Sequence, residues 1–199
     1  MAGGSDQPAS RRDINVVVVG DTAIGKTRLC NTYQQGSFPD DDPWKATYSF
    51  DNFYIDLTLD GRPVNLRVWD TAGLEDYDRI RALVYPKADV CMICYAINSI
   101  ASFEKIMEKW VHEVRHYCPR ARVVLVATKA DCRGGDPETI VDRARGHRLA
   151  VQELKADGFV ECSARTGESV VEAFQTAVRA VLDAPQLETE KQGCACALI

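Results

Sequence analysis

The sequence predicts an α/β fold: a six-stranded, mostly parallel sheet with one antiparallel hairpin strand and helices on both faces. Three observations carry that expectation. Strand and helix patterns alternate along the 199 residues, as they do when parallel strands are joined by crossover helices. The β-branched run at 14–19 suits a strand buried on both faces. Asp60-Gly61 separates the strand-like runs 50–59 and 63–69 and is a hairpin signal.

The elements follow in order. A glycine loop after strand 14–19 opens a short helix at 26–35. Residues 40–45 form an acidic, proline-containing loop ahead of the hairpin. The run 90–97 is a buried strand. An amphipathic helix at 102–117 places Phe103, Ile106, Trp110 and Val114 on one face. A strand at 123–127, a helix at 145–156, a strand at 158–162 and a helix at 168–182 complete the pattern, with no internal repeat. The expected division is a disordered N-terminus at 1–12, one domain at 13–183 and a flexible tail at 184–199. Ligands of such a sheet bind where loops gather at the carboxyl ends of the strands.

Composition bounds the class. Hydrophobic residues make up 46% and charged residues 27%, the balance of an ordinary globular domain. A net charge of −5 argues against nucleic acid as a partner. The eight cysteines do not suggest a disulfide scaffold, because residues 1–13 lack the apolar core of a signal peptide. Cys30, Cys91, Cys94, Cys118, Cys132 and Cys162 are scattered as reduced core residues would be. Cys91 and Cys94 form a CxxC, read as strand core rather than a redox pair. No apolar stretch approaches the ~18 residues of a membrane span. Ala2 excludes N-myristoylation.

Four loops carry the chemistry. Gly20-Asp21-Thr22-Ala23-Ile24-Gly25-Lys26-Thr27 matches GxxxxGK[ST], after a strand and opening a helix. Its glycines let backbone N–H groups wrap phosphates, and the helix N-terminus adds positive potential. Lys26 is placed for the β- and γ-phosphates and the Thr27 hydroxyl for Mg²⁺. Asp70-Thr71-Ala72-Gly73 follows the second hairpin strand, so Asp70 can hold Mg²⁺ through water and Gly73 can offer its N–H to a γ-phosphate. Thr128-Lys129-Ala130-Asp131 follows the strand at 123–127. Its carboxylate can accept from N1–H and the N2 amine of guanine, a donor pair adenine lacks, while the Lys129 stem lies along the base. Ser163-Ala164-Arg165 would present N–H groups to guanine O6. Together these loops imply GTP or GDP with Mg²⁺.

With those motifs in place, the chain resembles the Ras-superfamily small GTPases, with their P-loop NTPase (Ras-like) fold, and specifically the Rho family. The Rho-like stretches are YQQGSFP at 33–39, WDTAG at 69–73, EDYDRIR at 75–81 and ECSA at 161–164. The resemblance spans about 13–182. It implies that Arg28 belongs to the nucleotide-binding loop, that Phe38 flanks the base and that Lys129, Asp131 and Ala164 read it. It also implies a switch acting on actin, cell shape or polarity. The family carries a helical insert after the TKxD motif, and the short stretch 132–160 implies that it is trimmed here.

Three positions depart from the family pattern. Leu74 stands where a Gln orients the attacking water. Thr22 stands at the third P-loop position, normally Gly, and projects a side chain toward the γ-phosphate. In switch I, the position of the Mg²⁺-binding Thr falls on Tyr48, with Thr47 one residue early. The loop also carries about three extra residues, among them Asp40, Asp41, Asp42 and Trp44. Two alternatives stand: Thr47 reaches the metal through a loop shift, or switch I does not close on it. All three departures bear on the γ-phosphate. The expectation is therefore retained binding with slow or activator-insensitive hydrolysis. The alternative is a constitutively GTP-loaded binding module controlled by expression or lipidation. An ATP-using enzyme is disfavoured by 128–131.

Other signals carry less. His112-Glu113-Val114-Arg115-His116 matches HExxH, but both histidines fall opposite the apolar helix face and His147, the third, lies beyond a separate strand. Arg143, Arg145, His147 and Arg148 read as a solvated helix end. The terminal Cys196-Ala197-Leu198-Ile199 is a CaaX box leaning toward geranylgeranyl. One prenyl chain anchors weakly, and Glu188 and Glu190 outweigh Lys191, so Cys194 is the candidate palmitoylation site. The expected location is the cytoplasmic face of the plasma membrane or endomembranes, with a cytosolic pool. Expected partners of a monomer are effectors at loops 36–50 and 73–84, exchange factors, activating proteins and a prenyl-binding dissociation inhibitor.

Overall fold

The computed structural model describes residues 11–39 and 51–184. Thr47, Tyr48, Cys194 and Cys196 lie outside the described residues.

β1 (Arg12–Gly20) feeds the phosphate loop, which opens α1 (Lys26–Gln35). β2 (Asp51–Leu59) and β3 (Arg62–Asp70) form the hairpin around Asp60 and Gly61, both at positive φ. After β3 come a 3₁₀ turn (Glu75–Tyr77), α2 (Asp78–Arg81) and a second 3₁₀ turn (Tyr85–Lys87). β4 (Val90–Ala96) leads to α3 (Ile100–Lys105), a π-helical stretch (Ile106–Trp110) and α4 (Val111–Tyr117). β5 (Arg122–Thr128) is followed by a 3₁₀ turn (Ala130–Cys132), α5 (Arg143–Arg148) and a π-helical stretch (Leu149–Leu154). β6 (Gly158–Glu161) and α6 (Val170–Leu182) close the chain. Between Cys132 and α5 the described backbone forms turns rather than an extra helix.

The six strands lie in the order β2-β3-β1-β4-β5-β6. β2 is antiparallel to β3 and every other pair is parallel. The predicted sheet is the observed one. Alternate side chains of each strand enter two separate cores. Val16, Val18, Met92, Cys94 and Val126 pack with Phe174 and Val178 of α6. Val17, Val19, Cys91, Ile93 and Leu125 pack with Trp110 and Val114 on the opposite face. Cys91 and Cys94, three residues apart, therefore point to opposite sides of the sheet and cannot pair, as the strand-core reading requires.

Several boundaries differ from the sequence pattern. β1 begins at Arg12, because Arg12 and Asp13 continue the ladder opposite Val64 and Asn65 although their side chains are exposed. The helix expected from 102 begins at Ile100, capped by the Ser99 hydroxyl, which accepts from the Ser102 N–H at 3.3 Å. The helix expected at 145–156 begins at Arg143 and stops at Leu154, where Lys155 turns left-handed with φ 51°. α6 starts at Val170 rather than 168, because Ser169 is left-handed at φ 52°. β6 ends at Glu161, one residue short of the expected run.

Candidate functional site

The four motif loops all emerge at the carboxyl ends of parallel strands. Gly20 and Gly25 sit at φ 139° and 100°, conformations that L side chains rarely adopt. A Cβ on Gly20 would lie 2.3 Å from the Cys94 carbonyl oxygen. The loop is thus wound tightly over β4. Lys26, only 5% exposed, donates to the carbonyls of Gly20 at 2.8 Å and Asp21 at 2.7 Å. Burial lowers its ammonium from the ordinary lysine value, and the Asp70 carboxylate opposes that shift.

Asp70 closes the floor of the loop. It is 3% exposed, and burial raises its carboxyl to about 6, while a hydrogen bond from Thr27 and the charge of Lys26 pull it down. Its Oδ1 has no hydrogen-bond partner among the described residues. An orphaned buried carboxylate oxygen beside a threonine hydroxyl, under the phosphate-loop motif, fits an octahedral divalent cation shared with phosphates. Among the described residues no three His, Cys, Asp or Glu side chains gather into a metal cluster of their own. Such a cation would take most of its ligands from phosphate and water. His112 and His116 are exposed, and Glu113 is engaged elsewhere, so the HExxH pattern has no zinc geometry.

Gly73 presses against the phosphate loop. A Cβ there would lie 2.5 Å from the Gly20 carbonyl oxygen and 2.6 Å from the Thr22 nitrogen. Thr22 and Leu74 both line a cleft of about 490 Å³, together with Asp21, Gly73, Lys105 and Lys109. The Asp21 carboxylate is held by the indole N–H of Trp110 at 2.8 Å.

The base side is equally connected. The Thr128 hydroxyl lies 2.5 Å from the Ile24 carbonyl and 3.0 Å from that of Tyr95. Lys129, left-handed at φ 61°, donates from Nζ to the Ala23 carbonyl at 2.9 Å. Asp131 Oδ1 accepts from the Ser163 hydroxyl at 2.6 Å, which fixes the orientation of the carboxylate. The Thr32 hydroxyl of α1 donates to the Ala164 carbonyl at 3.3 Å, while Arg165 is exposed. Phe38 is 38% exposed, with the Arg28 guanidinium 5.4 Å from its ring centre.

The structure adds a group whose role the sequence pattern did not reveal. Arg81 is fully buried. It donates to the Ala72 carbonyl at 2.6 Å, the Leu74 carbonyl at 3.1 Å and Glu113 Oε1 at 2.8 Å, and also pairs with Asp78. The Tyr85 hydroxyl donates to the same Glu113 oxygen at 2.7 Å. Glu113, in sequence only a member of the HExxH string, is the anchor that ties 72–81 to α4. Glu113→Ala leaves the buried guanidinium with only the more exposed Asp78 as a carboxylate partner and without its buried one. It is expected to destabilise the domain by about 3–5 kcal/mol, read as a lower urea midpoint, with Glu113→Gln losing less because it keeps an acceptor.

This assembly defines a nucleotide-binding domain of the P-loop NTPase fold. Residues 15–183 match the Ras family. The chain is 40% identical over 189 residues to GTP-binding protein RHO1 of Candida albicans, covering 90% of this chain and 93% of that protein. It is 44% identical over 177 residues to Rho-related GTP-binding protein RhoB of Homo sapiens, with 84% and 88% covered. It is 40% identical over 185 residues to Ras-like GTP-binding protein RhoL of Drosophila melanogaster, with 93% and 95% covered. The chain belongs to the Rho family of Ras-type small GTPases.

Proposed function

We propose that this Rho-family GTP-binding protein holds GTP with Mg²⁺ and hydrolyses it slowly, acting as a membrane-associated switch whose GTP-bound state persists. The observation that carries the reading is the cleft beside Gly73, where Leu74 and Thr22 take the places of a water-orienting amide and a glycine.

In this reading Gly20 to Thr27 wrap the phosphates, and Lys26 leaves its carbonyl partners to neutralise the β- and γ-phosphates. Thr27 and Asp70 would hold Mg²⁺, and Thr47 would join them only where a shift of switch I brings it to the metal. The cation, when bound, neutralises charge developing on the phosphate oxygens. Gly73 donates its N–H to the γ-phosphate, drawing 73–84 against the phosphate loop. Thr128, Lys129, Asp131, Ser163, Ala164 and Arg165 read guanine, and Phe38 and Arg28 cover its edge. Leu74 has no atom to orient water, and Thr22 narrows the approach of a partner's arginine. The same pair supports a second reading, a binding module with negligible turnover. Loops 36–50 and 73–84 would dock effectors, with exchange factors, activating proteins and a prenyl-binding dissociation inhibitor acting on the same chain.

Nucleotide extracted from freshly purified protein is expected to be mostly GTP; mostly GDP would show that turnover survives. No helix among the described residues is long and apolar enough to cross a membrane. The anchor in this reading is a prenyl group on Cys196 supported by acylation of Cys194. Cys196→Ser is expected to move the protein from the membrane pellet to the supernatant on ultracentrifugation, and an unmoved variant removes that role.

A further inference from the structure

Two sulfurs unused by nucleotide binding lie in contact. Cys91 on β4 and Cys118 at the end of α4 are 27 positions apart, and their Sγ atoms approach to 3.5 Å. Both are free thiols. They share the core that packs α4 on the sheet, with nothing between them. The Cys118 thiol donates to the Val114 carbonyl at 3.2 Å. The Cys91 thiol is then the donor to Cys118. That bond lowers the Cys118 thiol from its ordinary value, with Arg115 helping and burial and Glu113 opposing, while Cys91 is held protonated. Cys118 is 7% exposed and Cys91 fully buried. Cys118 caps the helix end and is followed by the exposed Pro119 and Arg120. A small oxidant reaches the outer sulfur first, and the inner one is positioned to resolve it.

We infer that Cys91 and Cys118 form a reversible disulfide site oxidised by peroxide. The Cys118 thiolate attacks one peroxide oxygen. The O–O bond breaks, hydroxide leaves and takes up a proton as water, and Cys118 becomes a sulfenic acid. The Cys91 sulfur then attacks the Cys118 sulfur, forming S–S and breaking S–O, and the departing hydroxide takes the Cys91 proton. Two thiols lose two electrons to one peroxide, which yields two waters. With the sulfurs 3.5 Å apart and a disulfide near ~2.05 Å, they need to approach by only about 1.5 Å to bond. The end of α4 carries Tyr117, whose ring stacks on Tyr85 at 5.6 Å, and Glu113, which holds Arg81. The bond would pin the helix that anchors 72–85.

The test treats nucleotide-bound protein with hydrogen peroxide, blocks residual thiols after denaturation, and maps peptides by mass spectrometry. A Cys91–Cys118 linked peptide with a loss of two hydrogens, reversed by dithiothreitol, is expected. The oxidised protein should melt about 5–10 °C higher, as a cross-link closing a loop of this length does. Cys91→Ala and Cys118→Ala should each lose both effects. Wild-type protein in which peroxide leaves both cysteines reduced, or drives Cys118 to sulfinic acid without the linked peptide, overturns the site whether or not the variants fold.

Discussion

Leu74→Gln combined with Thr22→Gly is expected to restore stimulation of GTP hydrolysis by a Rho-type activating protein by about 10³-fold or more, because an arginine finger acting with a water-orienting Gln is worth 10³–10⁵. The two residues line one cleft, so their effects should not add simply. Glutamine at 74 supplies the amide that orients the attacking water. Glycine at 22 clears the approach for the arginine. Leu74→Gln alone should raise the intrinsic rate with weak stimulation, since Thr22 still fills the approach. Thr22→Gly alone should change little, since no group orients the water. The readout is phosphate release from protein preloaded with GTP, with and without the activating protein. A double variant no faster than wild type would place the block elsewhere, with switch I as the remaining departure.

Asp131→Ala is expected to weaken GTP and GDP binding by about 10²–10⁴-fold, since hydrogen bonds to a charged group are worth about 1.5–3 kcal/mol each and two are lost. The Ser163 hydroxyl loses its acceptor as well. Affinity for ATP should stay as weak as before, because adenine offers no donor pair to that carboxylate, so guanine preference collapses without a gain for adenine. Competition against a fluorescent guanine nucleotide reads both numbers. Undiminished guanine affinity would remove Asp131 from base recognition.

Much of this molecule was legible from the chain. The Val-rich β1, the apolar β4 and the Asp60-Gly61 turn report local physics, namely burial on both faces and a positive-φ turn. The phosphate loop was legible because its glycines and lysine act through neighbours a few residues away. The less legible features depend on distant partners. Arg81 looks like an exposed basic residue on a short helix, yet its partners Ala72, Leu74 and Glu113 make it the most buried cation described. Glu113 sits inside an HExxH string, and only packing against Arg81 and Tyr85 assigns it. The π-helical stretch from Ile106 to Trp110 carries no local signal, and its last residue reaches across to Asp21. Strand ends at Arg12 and Asp13 were missed because ladder bonds continue where hydrophobic patterning stops.

In the proposed function, Thr22 and Leu74 permit GTP binding and make its cleavage slow. Single-turnover hydrolysis by the wild-type protein, preloaded with GTP and Mg²⁺, tests it most directly. A rate at or below the ~10⁻⁴ s⁻¹ typical of unstimulated Ras-type proteins, unchanged by a saturating activating protein, is expected. Stimulation of ~10³-fold or more would contradict it.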